Sequence, residues 1–168
     1  MTKRLALLSA ATGCAALASL VGYAGIASAP AATPGATPPD YRLVTSDLMN
    51  AVIQPRHIKL WLAGKARNWA LAEYERHNLQ GAFNRMAVAI PDYKGTRMTD
   101  MLDAFTKLPF DDLAAAIKAK DDAQFAQAYG ELTDGCNSCH QSADHAMAVI
   151  KVPDAAAFPD QEFDPPKP

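Results

Sequence analysis

From Phe125 to Ile150, apolar and small residues recur at alternating intervals of four and three: Phe125, Tyr129, Leu132, Cys136, Cys139, Ala143, Ala146 and Ile150. On a helix this spacing holds one stripe on one side for about seven turns. A helix with such a stripe must lay it against other helices or against something enclosed between them. Its start is marked by Asp121 with Gln124 three residues on, a capping-box pattern carrying aspartate in the Ser/Thr place. The pattern before it, from Thr45 onward, is also helical. It shows no period-two alternation and no hairpin turn signal, so the predicted class is all-α.

Three further helices are expected. The first starts at Thr45 or Ser46 with Asp47 in its first turn. It presents Leu48, Met49, Val52 and Ile53, meets Pro55 as a kink or a restart, and runs to about Ala63, with Gly64 loosening its end. The second begins near Asn68 and carries Trp69, Ala72, Leu79, Phe83, Met86 and Ile90. Pro91-Asp92-Tyr93-Lys94-Gly95 reads as a turn. The third, capped by Thr96 or Thr99, presents Met101, Leu102, Phe105 and Leu108, is interrupted at Pro109, and resumes through Leu113, Ala116 and Ile117. Four helices with short connections predict an antiparallel four-helix bundle, an architecture that places cofactors between facing helices.

The last helix carries the chemistry. Cys136-Asn137-Ser138-Cys139-His140 is Cys-x-x-Cys-His, the attachment signature of c-type haem. Two thiols at fixed short spacing add to the two vinyl groups of one haem, and the following histidine comes under the iron. At intervals of three and four, Cys136, Cys139 and His140 share a helix face, and both cysteines lie on the apolar stripe. One covalently attached haem c is the cofactor expected, with Cys136 and Cys139 as thioether sites and His140 as proximal ligand. Gly135 would let the porphyrin edge approach the backbone. Two other chemistries use the same residue types. A thiol–disulfide oxidoreductase needs its first cysteine at a helix start after a strand, and a closed zinc site needs a fourth ligand and looser spacing. No Ser/His/Asp set, paired carboxylates or phosphate loop rises above background, so the expectation is a non-enzyme.

The N-terminus agrees with that chemistry. Lys3 and Arg4 precede an Ala/Leu/Gly-rich run to about Ala29, and a Pro/Ala/Thr segment follows. Residues 1–31 are expected to be a secretory signal, 32–44 a flexible linker, 45–151 the haem-binding domain and 152–168 an extended proline-rich tail. Ala11-Thr12-Gly13-Cys14 resembles a lipoprotein box, and a retained run would be a membrane anchor. Each version puts the domain outside the cytoplasm, where bacteria attach haem covalently: a periplasmic protein, or one anchored and facing the periplasm. Of the three cysteines, Cys14 lies in this leader, so the domain has none for a structural disulfide.

Charge is divided unevenly. Residues 40–97 hold nine Lys/Arg against five Asp/Glu, a balance of +4, and residues 98–168 hold five against thirteen, a balance of −8. The net charge of −2 gives no reason to expect nucleic acid as a partner. The acidic half bears the motif and would either steer a basic redox partner or be a solvated acidic surface with no partner.

An exported all-helical domain of about this size, with a single Cys-x-x-Cys-His near the end of its last helix, resembles the cytochrome c′ group and, more broadly, four-helix cytochromes of the c′/b562 type. The resemblance covers roughly Thr45 to Ile150, and Cys136 to His140 is its specific part. It implies a residue of the first helix over the open haem face. Met49 is the counterpart, although Thr45 stands where the group often has arginine. The resemblance also implies a possible homodimer through the first two helices.

The sixth iron position decides between functions. Met49 as a thioether ligand would favour electron transfer at a raised potential, and His57 would give a lower one. An open site with Met49 or Leu48 as lid would bind nitric oxide or carbon monoxide. Against these roles, Met49 has the neighbours of a core residue and His57 those of a solvent-facing one. Arg56 and Lys59 are candidates for haem propionates, the alternative being a solvated basic face. His77 reads as a surface residue, as does His145, five residues past His140 and so turned from the haem face. Trp61 and Trp69 read as core.

Overall fold

Pro55 sets the shape of the first helix. The structure, a computed structural model, describes residues 44–155, 158 and 161–166. The expected leader, nearly all of the linker and Cys14 lie outside these residues. Val44 leads into a short turn, α1 (Thr45–Leu48), which widens into a π-helical turn (Met49–Ile53) and continues as α2 (Gln54–Lys65). In the wide turn the Gln54 N–H donates to the Met49 carbonyl. A proline ring crowds the carbonyl four residues back, here that of Ala51, and lacks the N–H that would satisfy it. The wider register immediately ahead of Pro55 accommodates both, so the helix is neither broken nor restarted. It passes the expected end at Ala63, and Gly64 does not loosen it. Gly64 is buried, and a methyl group there would strike the ring of Phe125.

Asn68 caps α3 (Trp69–Ala89), its side-chain oxygen accepting from the Leu71 N–H at 3.2 Å. The turn after it is a small hairpin, which the sequence pattern did not announce. Strands β1 (Asp92–Tyr93) and β2 (Thr96–Arg97) pair antiparallel, Asp92 opposite Arg97 and Tyr93 opposite Thr96. Lys94 and Gly95 both have positive φ, 52° and 83°, as a type I′ turn requires. Two residues per strand are too few for alternation to register.

Helix α4 (Met98–Ala119) follows directly. Arg97 is its N-cap without a side-chain bond, so neither Thr96 nor Thr99 caps it. Pro109 lies inside the helix and does not interrupt it. The carbonyl it deprives of a donor is that of Phe105, and this oxygen faces Gly135 of α5 (Asp122–Ser142). A Cβ at position 135 would collide with it. Gly135 thus serves the close crossing of α4 and α5, and the freed carbonyl meets an α-carbon of the neighbouring helix. The expected role of Gly135 against a porphyrin edge is replaced by this one.

Lys120, at φ 56°, ends α4, and Asp121 caps α5. Its Oδ1 accepts from the N–H groups of Ala123 and Gln124 at 2.9 and 3.0 Å, and the Gln124 amide returns to Oδ2 at 3.1 Å. Such a cap contributes about 1 kcal/mol. At the other end α5 stops at Ser142, eight residues short of the stripe's end. Ala143 closes it, Asp144 turns left-handed at φ 61°, and the Lys94 ammonium donates to the Ala143 carbonyl at 3.0 Å. Of the stripe's last members, Ala143 and Ile150 are half-buried in the loop and Ala146 is exposed.

The described chain is all-α apart from the hairpin. α2 packs on α3, α3 on α4, α4 on α5, and α5 returns to α2. Tyr129, Phe110, Phe125, Leu60, Leu79, Met86, Leu113 and Leu132 are fully buried between them. Trp61 stacks on Phe125 at 6.2 Å and meets Tyr129 at 4.8 Å, and Trp69 meets the Phe125 edge at 6.0 Å. Both tryptophans therefore pack on the core. The tail packs as well. Val152 and Phe163 lie on the core, Phe158 sits 4.6 Å under the Lys59 ammonium, and the Asn68 amide donates to the Asp164 carbonyl at 3.3 Å.

Candidate functional site

One end of the helical assembly holds a partly open cavity of about 220 Å³ with a predominantly apolar wall. Three neighbouring segments and the motif helix build it. The π-helical turn contributes Met49, Asn50 and Ile53. α3 contributes Leu79, Phe83 and Met86, and the start of α4 contributes Met98, Met101 and Leu102. Cys136, Cys139 and His140 of α5 line the same cavity, so the sequence-predicted triad faces one space. π-helical turns recur at functional sites, and here Pro55 puts one on the cavity wall.

The two cysteines form no disulfide. Burial pushes the Cys136 thiol up to about 12, with Cys139 adding to the rise, and burial raises Cys139 as well. Both lie in the last two turns of α5, far from the positive end of the helix dipole that would favour thiolates.

His140 is held by the backbone. Its Nδ1 lies 2.6 Å from the Ala148 carbonyl oxygen. A carbonyl only accepts, so Nδ1 carries the proton and Nε2 is left with its lone pair, the tautomer of a metal-ligating histidine. This is possible because the chain reverses after Ser142. Asn137 makes a two-point bond to the returning strand of chain: its Nδ2 donates to the Ile150 carbonyl at 2.8 Å, and the Ile150 N–H donates to its Oδ1 at 2.7 Å. The reversal also brings His145 to the cavity wall, where its Nε2 lies 3.4 Å from the Tyr93 hydroxyl. The expectation that His145 turns away assumed a helix continuing through it.

His57 is not a solvent-facing residue. It is 4% exposed, and burial lowers its pKa to about 4. Both ring nitrogens are engaged. Nδ1 stands 2.8 Å from the Tyr129 hydroxyl, which also donates to the His57 carbonyl at 2.7 Å, and Nε2 stands 3.1 Å from the Thr133 hydroxyl. Burial raises Tyr129 far above the ordinary phenol range. His57 touches the cavity, but its nitrogens point into this network.

Arg56 is not among the cavity-lining residues. Its Nη1 lies 4.0 Å from the Glu75 carboxylate, and Glu75 is 4% exposed, its pKa raised by burial against the opposing pull of Lys59 and Arg56. Among the described residues no Lys or Arg lines the cavity. Its polar edge is Thr45, Ser46, Asn50 and Gln54. The assignment of Arg56 to propionates therefore has no support in its position.

The residues present fit a covalently held haem. Two cysteines and an imidazole protonated on Nδ1 line one partly open, predominantly apolar cavity, the donor set that covalent haem attachment and axial ligation require. Sequence reasoning did not find Met86, Met98 and Met101 as cavity residues beside Met49. Met98 and Met101 were signalled by their spacing of three at the start of α4. Nothing in the sequence signalled the Ala148 carbonyl, which depends on the chain reversal. No described helix is long and apolar enough to cross a membrane. Comparison with family models, with curated proteins and with solved structures finds no match to this chain.

Proposed function

We propose that this chain is an exported monohaem c-type cytochrome that transfers electrons, with haem held by Cys136 and Cys139 and its iron by His140. The observation that carries the reading is the convergence of Cys136, Cys139 and His140 on one cavity, with the Nδ1 of His140 engaged by the Ala148 carbonyl. The neighbour relations of α2 to α5 support an antiparallel four-helix bundle, similar to the cytochrome c′ group, with the motif on its last helix. Bound haem supplies a one-electron iron centre. Around it the chain excludes water with Leu79, Phe83 and Leu102, sets the tautomer of His140 through Ala148, and offers Asn50 and Gln54 to propionates.

The engagement of both His57 nitrogens counts against the imidazole as a sixth ligand and favours a thioether. Met49, on the π-helical turn, is the first choice for the sixth ligand. A second reading, an open site for small gases, draws on the packing of Met49 with Leu48 and Val52 against the core, where it would act as a lid. A thiol–disulfide role fits poorly, since the cysteines sit at the wrong end of their helix. The acidic motif half fits a basic redox partner in the periplasm or at its membrane face.

The test is the absorption spectrum of the ferrous protein with and without carbon monoxide. A six-coordinate spectrum that resists carbon monoxide, and that Met49→Ala converts to one that binds it, supports electron transfer. Immediate binding by the unmodified protein replaces that reading with gas binding.

A further inference from the structure

We infer that Asn137, one of the two residues between the motif cysteines, is a positioning residue that sets the electronic state of His140 by locking the 143–150 loop. The inference rests on the haem reading above and concerns what tunes that site.

The tip of the loop buries little: Met147 and Val149 are 82% and 72% exposed, whereas Ala143 and Ile150 at its ends are half-buried. Its first residues are tied to the helix end by the His145 N–H to the His140 carbonyl at 2.7 Å and the Asp144 N–H to the Gln141 carbonyl at 3.3 Å, and side chains from elsewhere tie its backbone at two further places. At the start, the Lys94 ammonium from the hairpin holds the Ala143 carbonyl and, at 3.2 Å, the Asp144 carboxylate. At the end, the Asn137 amide pairs with both the N–H and the carbonyl of Ile150. Between these ties the Ala148 N–H donates to the His145 carbonyl at 2.9 Å, and the Ala148 carbonyl takes the His140 Nδ1 proton. Ala148 is two residues from the Asn137 clamp, and the lysine tie is exposed and screened by solvent. The half-buried amide is therefore the side-chain tie that fixes the far end of the loop, while the backbone bonds from His140 to His145 and from His145 to Ala148 fix its near end.

The chemistry requires asparagine. Pairing with one residue's N–H and C=O together needs a donor and an acceptor on one short planar group. Aspartate lacks the donor, alanine lacks both, and glutamine sets the amide one methylene too far. The carbonyl bond to Nδ1 makes the imidazole a stronger donor through Nε2, which stabilises the ferric over the ferrous state. Loss of the clamp therefore shifts the equilibrium toward ferrous iron.

The experiment compares the reduction potentials of the wild-type holoprotein, Asn137→Ala, Asn137→Asp and Ser138→Ala, whose exposed side chain controls for disturbance of the motif. Both Asn137 variants are expected to favour the ferrous state by roughly threefold to tenfold, an upward shift of about 28 to 59 mV at 59 mV per tenfold for one electron. Ser138→Ala is expected to leave the potential unchanged. The iron–histidine stretching frequency should fall in the Asn137 variants, which a general loosening of the fold would not produce. In the wild type, the His140 Nδ1 proton should exchange slowly with solvent, a measurement that stands if the variants fail to mature. Unchanged potential and stretching frequency in Asn137→Ala, or rapid exchange of that proton in the wild type, overturns the inference while leaving a haem protein. A wild type that carries no haem overturns instead the reading on which it rests.

Discussion

Acid should weaken this fold through one buried imidazole. His57 titrates ordinarily near 6.5, and its burial against Tyr129 and Thr133 lowers that to about 4. The unfolded chain takes up a proton as pH falls through 6.5, whereas the folded chain does so only near 4. Stability that is fully present above about 6.5 is therefore lost progressively down to about 4. At about 1.36 kcal/mol per unit, the loss approaches 3 kcal/mol, a large share of the ~5–15 kcal/mol that holds a domain together. Urea unfolding of wild type and His57→Gln across pH 4 to 7 reads it directly. Carboxylates such as Glu73, held low by Arg76, and Glu75, held high by burial, titrate in both proteins and cancel in the difference. The wild-type advantage should shrink by about 3 kcal/mol between pH 7 and pH 4. A difference that stays flat over that range would refute the argument, since it would mean that His57 is not held neutral by the fold.

Two further substitutions test the packing that positions the site. Gly135→Ala places a methyl group against the Phe105 carbonyl, and the backbone there cannot rotate away. The expected cost is ~1–3 kcal/mol, read as a lower thermal midpoint, and an unchanged midpoint would show that the α4–α5 crossing is looser than described. Tyr129→Phe strips the hydroxyl from the His57 carbonyl and Nδ1 and should cost ~1–3 kcal/mol in denaturant unfolding. A neutral result would mean that water takes its place.

The helical class and the motif were legible because both depend on short-range spacing. The stripe from Phe125 to Cys139 put the cysteines on a buried face, and the structure keeps that face directed inward. The stripe's continuation through Ala143, Ala146 and Ile150 misled, because small residues at helical spacing do not reveal that Asp144 will turn left-handed. What depends on the chain's return was lost with it: the Ala148 carbonyl on His140, the clamp on Ile150 and the place of His145. The prolines misled differently. Pro55 read as a kink or a restart and Pro109 as an interruption, yet a wide turn absorbs the first and a close neighbour, Gly135, meets the carbonyl freed by the second. His57 and Arg56 lie in a charged stretch whose burial is decided by partners more than seventy residues away in the first case and by Glu75 of the next helix in the second.

The most direct test of the central claim is whether haem stays with the chain when the fold is destroyed. The full-length protein, exported in a host with haem-maturation machinery, is extracted with acidified acetone and the chain is examined for absorbance and mass. A covalently held haem leaves a red chain heavier by one haem, with no free thiol at Cys136 or Cys139, and the Cys136→Ser, Cys139→Ser double variant loses the colour from the chain. A colourless wild-type chain with both thiols free would contradict the claim.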